Sequence, residues 1–503
     1  MNPIEPYIPI DRRLALANHV ALPERSNGAA LFVDISGFTP LTGALVRHFG
    51  PRRGVEELTK WLNRVYSALI AQIEQYQGSV IGFSGDAITC WFAANDEALD
   101  GATERATIAA LAAQEAMTQF RALRVDHSSR TADEAPAFAL AVKTAIAAGT
   151  VRRFAVGVPS IQLIDVLAGT TLDRMAATEA MANQNELLID ELTLRPIQSH
   201  LTIAEWRADL ATGLRYAKVT GSNLTLAPQP WPSCPPLPEE QTQSWILPPI
   251  AERLKGQQSR FLAELRPAAA LFLRFTGLDF DQDPDAPHKL DSYIQWVQKI
   301  IDQHEGALIQ LTTGDKGSYL YATFGAPIAH DDDIQRAVAA AIVLRQPPPH
   351  FAFINTTQIG ITYGMMRVGA YGGETRKTYG VLGTETNMAA RLMSHAAPGQ
   401  IVVSSNVAEV ISERYELSDL GLHKLKGKAE AQPLFAVQGL RQHPDPGATL
   451  YTAQLVGRES ELRQLTTFAQ LVDAQHGKLV RIEGGAGLGK SHLVAHFAQE
   501  AER

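Results

Sequence analysis

Cysteine is scarce in this sequence: Cys90 and Cys234 are the only two in 503 residues, far apart and without a metal-ligand spacing around them. A disulfide framework is thereby excluded, no zinc site is indicated, and a reducing compartment fits. Long apolar runs are missing as well. No stretch approaches the roughly 18 consecutive apolar residues that a membrane span requires, and the opening MNPIEPYIPIDRR lacks the apolar centre of a secretory signal. A cytoplasmic protein with no membrane partner is expected. Positive charge is not in excess: Lys+Arg number 45 against 53 Asp+Glu, a net charge of -8. The chain lacks the field that drives direct nucleic-acid binding. What is present is 45% hydrophobic and 19% charged residues, ordinary for a soluble globular protein, with length for two to four domains.

One pattern occurs twice. The apolar run Leu31-Phe32-Val33 leads into Asp34-Ile35-Ser36-Gly37-Phe38, and Leu271-Phe272-Leu273 leads into Arg274-Phe275-Thr276-Gly277-Leu278. Val55, Leu58, Leu62, Val65, Leu69 and Ile73 then recur at helical spacing, with Gly78 as the expected C-cap; Leu290, Ile294, Val297 and Ile301 do the same before Gly306. Each helix gives way to a hairpin-like stretch, SVIGFSGDAITCWFA and ALIQLTTGDKGSYLYATFG. Further on, KTAIAAG at 143–149 parallels QIGITYG at 358–364, and GTTLD at 169–173 parallels GTETN at 383–387. Repeats in one order imply two homologous domains. The proline-rich, aperiodic stretch between them reads as an extended linker.

Beyond Gly439 the pattern changes. Leu455-Val456-Gly457-Arg458-Glu459 opens a helical stretch, Leu479–Ile482 reads as a strand, and Gly484, Gly489, Lys490 and Ser491 form GxxxxGKS ahead of a helical run. That is the P-loop signature, glycines and lysine placed to cradle phosphates. The residues that follow are too few to complete such a domain, so the chain is expected to be part of a longer protein, with further domains beyond residue 503.

Asp34 stands where a buried strand ends, and Asp86 follows Gly85 in the turn of the adjacent hairpin. Two convergent carboxylates suit Mg²⁺ on a nucleoside triphosphate. Taken singly, Asp34 reads better as a helix cap and Asp86 better as an ordinary turn residue; it is the pair that points to a metal.

VDISGFT at 33–39, GFSGDA at 82–87 and GTETNMAARL at 383–392 together resemble class III adenylyl and guanylyl cyclases. The tandem order followed by a P-loop resembles the soluble adenylyl cyclases and bacterial cyclase–ATPase fusions. The resemblance implies an α/β (α+β sandwich) fold: two ferredoxin-like cyclase domains in a pseudo-heterodimer, then the start of a P-loop NTPase domain. The expected boundaries are 1–220 for the metal-binding half, 221–249 for the linker, 250–440 for the base and transition-state half, and 450–503 for the P-loop fragment.

The resemblance also implies one shared site. Asp34, the Ile35 carbonyl and Asp86 would hold two divalent ions, Mg²⁺ or Mn²⁺. Asn387 and Arg391 would act on the transition state, and Lys143 on the triphosphate. Lys316 would read the purine, although a solvated turn lysine is an equal alternative, and the backbone amides of Ser36, Gly37 and Phe38 would face phosphate oxygens. ATP is the implied substrate and 3′,5′-cyclic AMP with pyrophosphate the product. The alternatives are a guanylyl cyclase, or a degenerate nucleotide-sensing pair that regulates a C-terminal signalling ATPase. Family members reading adenine usually carry Asp or Thr where this chain has Gly380, with Thr378 nearby. With both halves on one chain, a monomer is expected. At the mirror position Arg274, Gln358, Asp173 and Ala177 replace the functional types, and Asp315 or Gly314 is the counterpart of Asp86. In the soluble adenylyl cyclases bicarbonate is held there by a lysine and an arginine, where this chain has Gly82 and Ala176.

Overall fold

The computed structural model describes residues 2–94, 99–124, 137–256, 263–313, 317–425, 430–441, 456–470, 479–485 and 488–501. Residues 2–412 and 417–438 lie in one compact unit, which contains both repeated halves.

In the first half, helix α1 (Ile10–Ala17) precedes β1 (Arg25–Ser36), α2 (Phe38–Glu74), β2 (Ser79–Ser84), β3 (Ala87–Ala93), α3 (Leu99–Ala116), β4 (Ala141–Val156), β5 (Ile164–Ala168), α4 (Thr170–Ala180), β6 (Leu187–Asp190), β7 (Leu201–Ala208) and β8 (Arg215–Ser222). The sheet order is β2-β3-β1-β4-β6-β8-β7, with β5 paired to β4. The second half repeats this plan with β9 (Ala263–Thr276), α5 (Ala286–Gln303), β10 (Ala307–Thr312), β11 (Ser318–Phe324), α6 (Asp333–Leu344), β12 (Thr356–Gly372), β13 (Lys377–Leu382), α7 (Thr384–His395), β14 (Gln400–Ser404), β15 (Tyr415–His423) and β16 (Gln432–Leu440). Its order is β10-β11-β9-β12-β14-β16-β15, with β13 paired to β12. Each half is an α+β domain with the same strand order.

The helical periodicity after the first strand is real. Val55, Leu58, Leu62, Val65, Leu69 and Ile73 are all buried, and the last five join the core of the first half beside Val33, Ile35 and Ile88. Helix α2 is interrupted at Gly50, whose φ of 78° is non-helical and which precedes Pro51. The glycines after the helices work differently from the expected C-cap. Gln77 and Glu305 take the left-handed conformation, at φ 56° and 57°. The amides of Gly78 and Gly306 then bond back to the carbonyls of Ile73 and Ile301 at 3.0 and 2.9 Å. Glycine is required at 78 and 306 because a Cβ there would lie 2.5 Å from the ring of Phe92 or Phe324.

The segment read as an extended linker is only partly so. Glu239–Gln243 and Pro248–Lys255 are helical, and Leu237, Trp245, Ile246, Leu247 and Ile250 are buried. Leu237 and Trp245 pack with Ile8, while Ile246, Leu247 and Ile250 pack with Ile4, Tyr7 and the second half's Phe272 and Tyr321. Proline spacing conceals an apolar set that finds its partners only in three dimensions.

Buried arginines tie the halves together, two through backbone carbonyls and one through a hydroxyl. Arg376 donates to Val80 O at 2.8 Å, Ile81 O at 2.9 Å and Tyr7 O at 2.7 Å. Arg152 donates to Phe280 O and Asp283 O at 3.0 and 3.2 Å. Arg367 donates to Thr59 Oγ1 at 3.0 Å, and burial lowers its guanidinium to about 10. The N-terminal segment is held by a second arrangement, in which Arg153 binds both Asp165 and Asp11 and Arg12 binds Asp165 at 3.0 Å. Each carboxylate has a cation, as buried charge requires.

Residues 439–501 fall in a separate unit with α8 (Glu459–Gln470) and α9 (Lys490–Ala501). The strand expected at Leu479–Ile482 does not form: these residues have no regular structure, and Leu479 is fully exposed. A buried strand needs neighbouring strands to satisfy its backbone and cover its side chains, and none pairs with it among the described residues. Lys490, at the first position of α9, turns its ammonium back onto the carbonyls of Gly484 and Gly485 at 2.9 and 2.7 Å. Gly489 precedes it at φ 76° and Ser491 follows it in the helix.

Candidate active site

Strand register positions the first cluster. In β1, Asp34 stands opposite Ala87 of β3 on one side and Lys143 of β4 on the other. The Ile35 amide donates to the Asp86 carbonyl at 3.3 Å, fastening the β2–β3 turn beside the end of β1. Gly85 carries this turn at φ 66°. Asp34, Asp86 and Lys143 are thereby brought together by three adjacent strands. Ser36 follows at the strand end, donating to Ala141 O at 3.3 Å, and Gly37 caps α2 so that its first amides open at this edge. The Phe38 side chain is buried in the core, which leaves its backbone alone to act at the site.

The electrostatics are those of two facing carboxylates short of positive charge. Burial pushes the Asp34 carboxyl up; Lys143 opposes this at 3.2 Å from Oδ2, and Glu179 adds to it. The Asp86 side chain reaches solvent, but protein fills most of the space around it. Burial first, and the Asp34 charge second, raise it to about 6. Two neighbouring carboxylates, both raised by burial and Asp86 further by the charge of Asp34, form a donor set suited to a divalent cation, which would offset that repulsion. The residues fit such a group. No cluster of three or more His, Cys, Asp or Glu suited to a metal occurs among the described residues, so any further ligands would come from backbone, water or substrate. Lys143 bridges Asp34 and Glu179 of α4; burial works against its charge, but these two contacts outweigh it and raise it above the ordinary value.

The second half meets this cluster through Tyr371 of β12. Its hydroxyl donates to Gly85 O at 3.0 Å, one residue before Asp86, and its ring packs within 5.6 Å of Tyr66 and 5.7 Å of Phe83. Tyr371 also explains Gly380: a Cβ at 380 would lie 2.7 Å from the Tyr371 ring, so that ring fills the space a larger side chain would take. Thr378 lies two residues away on the same strand and lines the cavity between the halves.

Asn387 and Arg391 lie on α7. The residue before its glycine cap, Leu382, packs against the first half's core. Asn387 is exposed and Arg391 half-buried, and neither side chain has a hydrogen-bond or ion-pair partner among the described residues. They are not bonded to Asp34 or Asp86. Lys316, Asp315 and Gly314 lie outside the described residues. Sequence reading missed Tyr371, Arg367, Arg376 and Glu179. Of these, only Glu179 had an available signal, its place ten residues after Gly169 in the repeated block.

The mirror position in the second half lacks each charged partner. Arg274 stands opposite Gln358 in β12 just as Asp34 stands opposite Lys143, and the Gln358 amide bonds to Ala396 O instead. Asp173 and Ala177 on α4 occupy the places of Asn387 and Arg391. A cavity of about 290 Å³ lies between the halves, and Gly82 and Ala176 are among its lining residues.

Two α+β halves of identical strand order thus carry Asp34 near the end of β1 and Asp86 in the β2–β3 turn of the first, and Asn387 and Arg391 on α7 of the second. Residues 273–438 match the adenylate and guanylate cyclase catalytic domain, and the first half repeats the strand order of that matched region. The chain is similar to adenylate cyclase type 10 of Oryctolagus cuniculus, 24% identical over 515 residues, covering 95% of this chain and 31% of the relative. An adenylate cyclase of Mycobacterium bovis is 27% identical over 207 residues, 39% of this chain and 45% of that protein. Among solved structures, the adenylyl cyclase CyaB of P. aeruginosa aligns with a TM-score of 0.33 at 23% identity, over 36% of this chain and 97% of its own. The chain spans about a third of the length of the type 10 relatives. No helix among the described residues is long and apolar enough to cross a membrane.

Proposed function

We propose that the chain converts ATP to 3′,5′-cyclic AMP and pyrophosphate at one asymmetric site. The ribose 3′-oxygen attacks the α-phosphorus and loses its proton, and the bond from the α-phosphorus to the bridging oxygen of pyrophosphate breaks. The observation that carries this reading is the Asp34–Asp86–Lys143 cluster, set against Arg274 and Gln358 at the same register in the other half. Asp34, the Ile35 carbonyl and Asp86 would hold Mg²⁺ or Mn²⁺. Such ions lower the pKa of the attacking hydroxyl and neutralise triphosphate charge.

The chain's own groups supply the rest. Lys143 and the amides of Ser36, Gly37 and Phe38 face the phosphates. Arg391 balances charge growing on the α-phosphoryl oxygens, and Asn387 holds the ribose in line. Lys316 and Thr378 contact the base. The P-loop residues Gly484, Gly489, Lys490 and Ser491 form a second nucleotide-binding element that belongs to the C-terminal domain.

The test is product analysis with purified chain, Mn²⁺ or Mg²⁺, and either ATP or GTP. Cyclic AMP is expected, with kcat/KM for ATP above that for GTP. An equal or greater kcat/KM with GTP would reassign the substrate, and no cyclic product from either nucleotide would leave the nucleotide-sensing reading in its place. Bicarbonate is expected not to activate through the cavity, because Gly82 and Ala176 offer an anion no charge-assisted partner. A saturable, several-fold rise in activity at constant pH and ionic strength would contradict that.

A further inference from the structure

The Lys143 ammonium has two carboxylate partners, and only one belongs to the proposed cation site. Its Nζ lies 3.2 Å from Asp34 Oδ2 and also contacts Glu179 Oε1. An ammonium has three donors and can hold both at once. Glu179 sits on the last turn of α4, on the face that Leu172, Met175 and Ala176 turn to the cavity, and its side chain is 23% exposed.

A cation arriving at Asp34 meets Lys143 as a like charge already in contact with that carboxylate. If Asp34 were its sole partner, the lysine would compete for it. Glu179 offers a second carboxylate, so the ammonium remains compensated while Asp34 is released. The mirror half supports grouping these three residues. Counting from Gly169 and Gly383, Glu179 corresponds to Met393, which is 5% exposed in its own core, so Asp34, Lys143 and Glu179 are replaced together by Arg274, Gln358 and Met393.

We propose that Glu179 is a positioning residue of the cation site, holding the Lys143 ammonium when Asp34 turns to a divalent cation. This rests on the reading of Asp34 as a metal ligand given above. It is tested on the full chain without nucleotide, by measuring Mn²⁺ binding from the loss of the free-ion electron paramagnetic resonance signal. Asp34→Asn identifies the site. Glu179→Gln is expected to raise the Mn²⁺ dissociation constant about tenfold. Glu179→Asp keeps the charge and is expected to stay within about threefold of wild type, which also serves if the Gln variant folds poorly.

The deciding measurement is a double-mutant cycle. In a Lys143→Met background the competitor is gone, and Glu179→Gln is expected to have no further effect on binding. An unchanged dissociation constant in the single variant overturns the proposal. So does a tenfold loss that persists without Lys143, which would mean that Glu179 acts on the ion through space. Mn²⁺ binding that does not depend on Asp34 would instead overturn the metal-site reading itself.

Discussion

Asp34→Asn is expected to lower kcat by at least about a hundredfold, the order seen when a transition-state electrostatic element is removed, whereas Asp315→Asn in the second half is expected to cost less than tenfold. The substitution keeps the shape of the side chain and removes its charge. In the folded protein Asp34 is a half-buried carboxylate with Lys143 at 3.2 Å and Asp86 close enough to be raised by it. An amide at 34 leaves Asp86 as the sole carboxylate facing the proposed ions and frees Lys143 to pair with Glu179 alone. The fold should tolerate the change, because the backbone pairing of β1 with β3 and β4 is independent of the side chain. Near-equal losses of kcat from the two substitutions would mean two working sites, or a metal site in the other half.

Arg391→Ala is expected to lower kcat by about 10²- to 10³-fold, with KM for ATP changed by less than about threefold. The guanidinium is half-buried with no partner among the described residues, so its removal breaks no ion pair that holds the fold. Surface substitutions of that kind stay within about 0.5 kcal/mol of wild-type stability, and the melting temperature should move little. Lysine should restore little activity, since its point charge cannot reproduce a planar fork of donors. A variant that keeps kcat and loses ATP affinity would place Arg391 in ground-state binding. Activity unchanged in both parameters would remove it from the site.

The asymmetry between the halves was legible in the sequence because the chain carries its own comparison. Two copies of one block exposed Asp34 against Arg274, Lys143 against Gln358, and Asn387 and Arg391 against Asp173 and Ala177. The strand–helix–hairpin order followed from local periodicity, and burial of Leu58, Leu62, Val65, Leu69 and Ile73 against the sheet follows from the same period. Local rules failed where the partner was remote. Gly78 looked like a helix cap, but its need for glycine comes from Phe92 on β3. The proline-rich stretch looked like a free spacer, although Trp245 and Ile246 are buried against residues distant in sequence. Leu479–Ile482 looked like a strand, but a strand is a property of pairs of segments and this one has no neighbour among the described residues.

Residue type and spacing therefore determined which side chains carry charge, which faces are apolar, and that the two halves differ at matching positions of the repeat. Only the tertiary structure decided that Tyr371 of one half holds the turn bearing Asp86 of the other, that its ring requires glycine at 380, and that Glu179 reaches Lys143 from α4. The reason is physical: hydrophobic periodicity is written along a single element, whereas contacts such as these depend on which elements the sheet order and the packing of the two halves bring side by side.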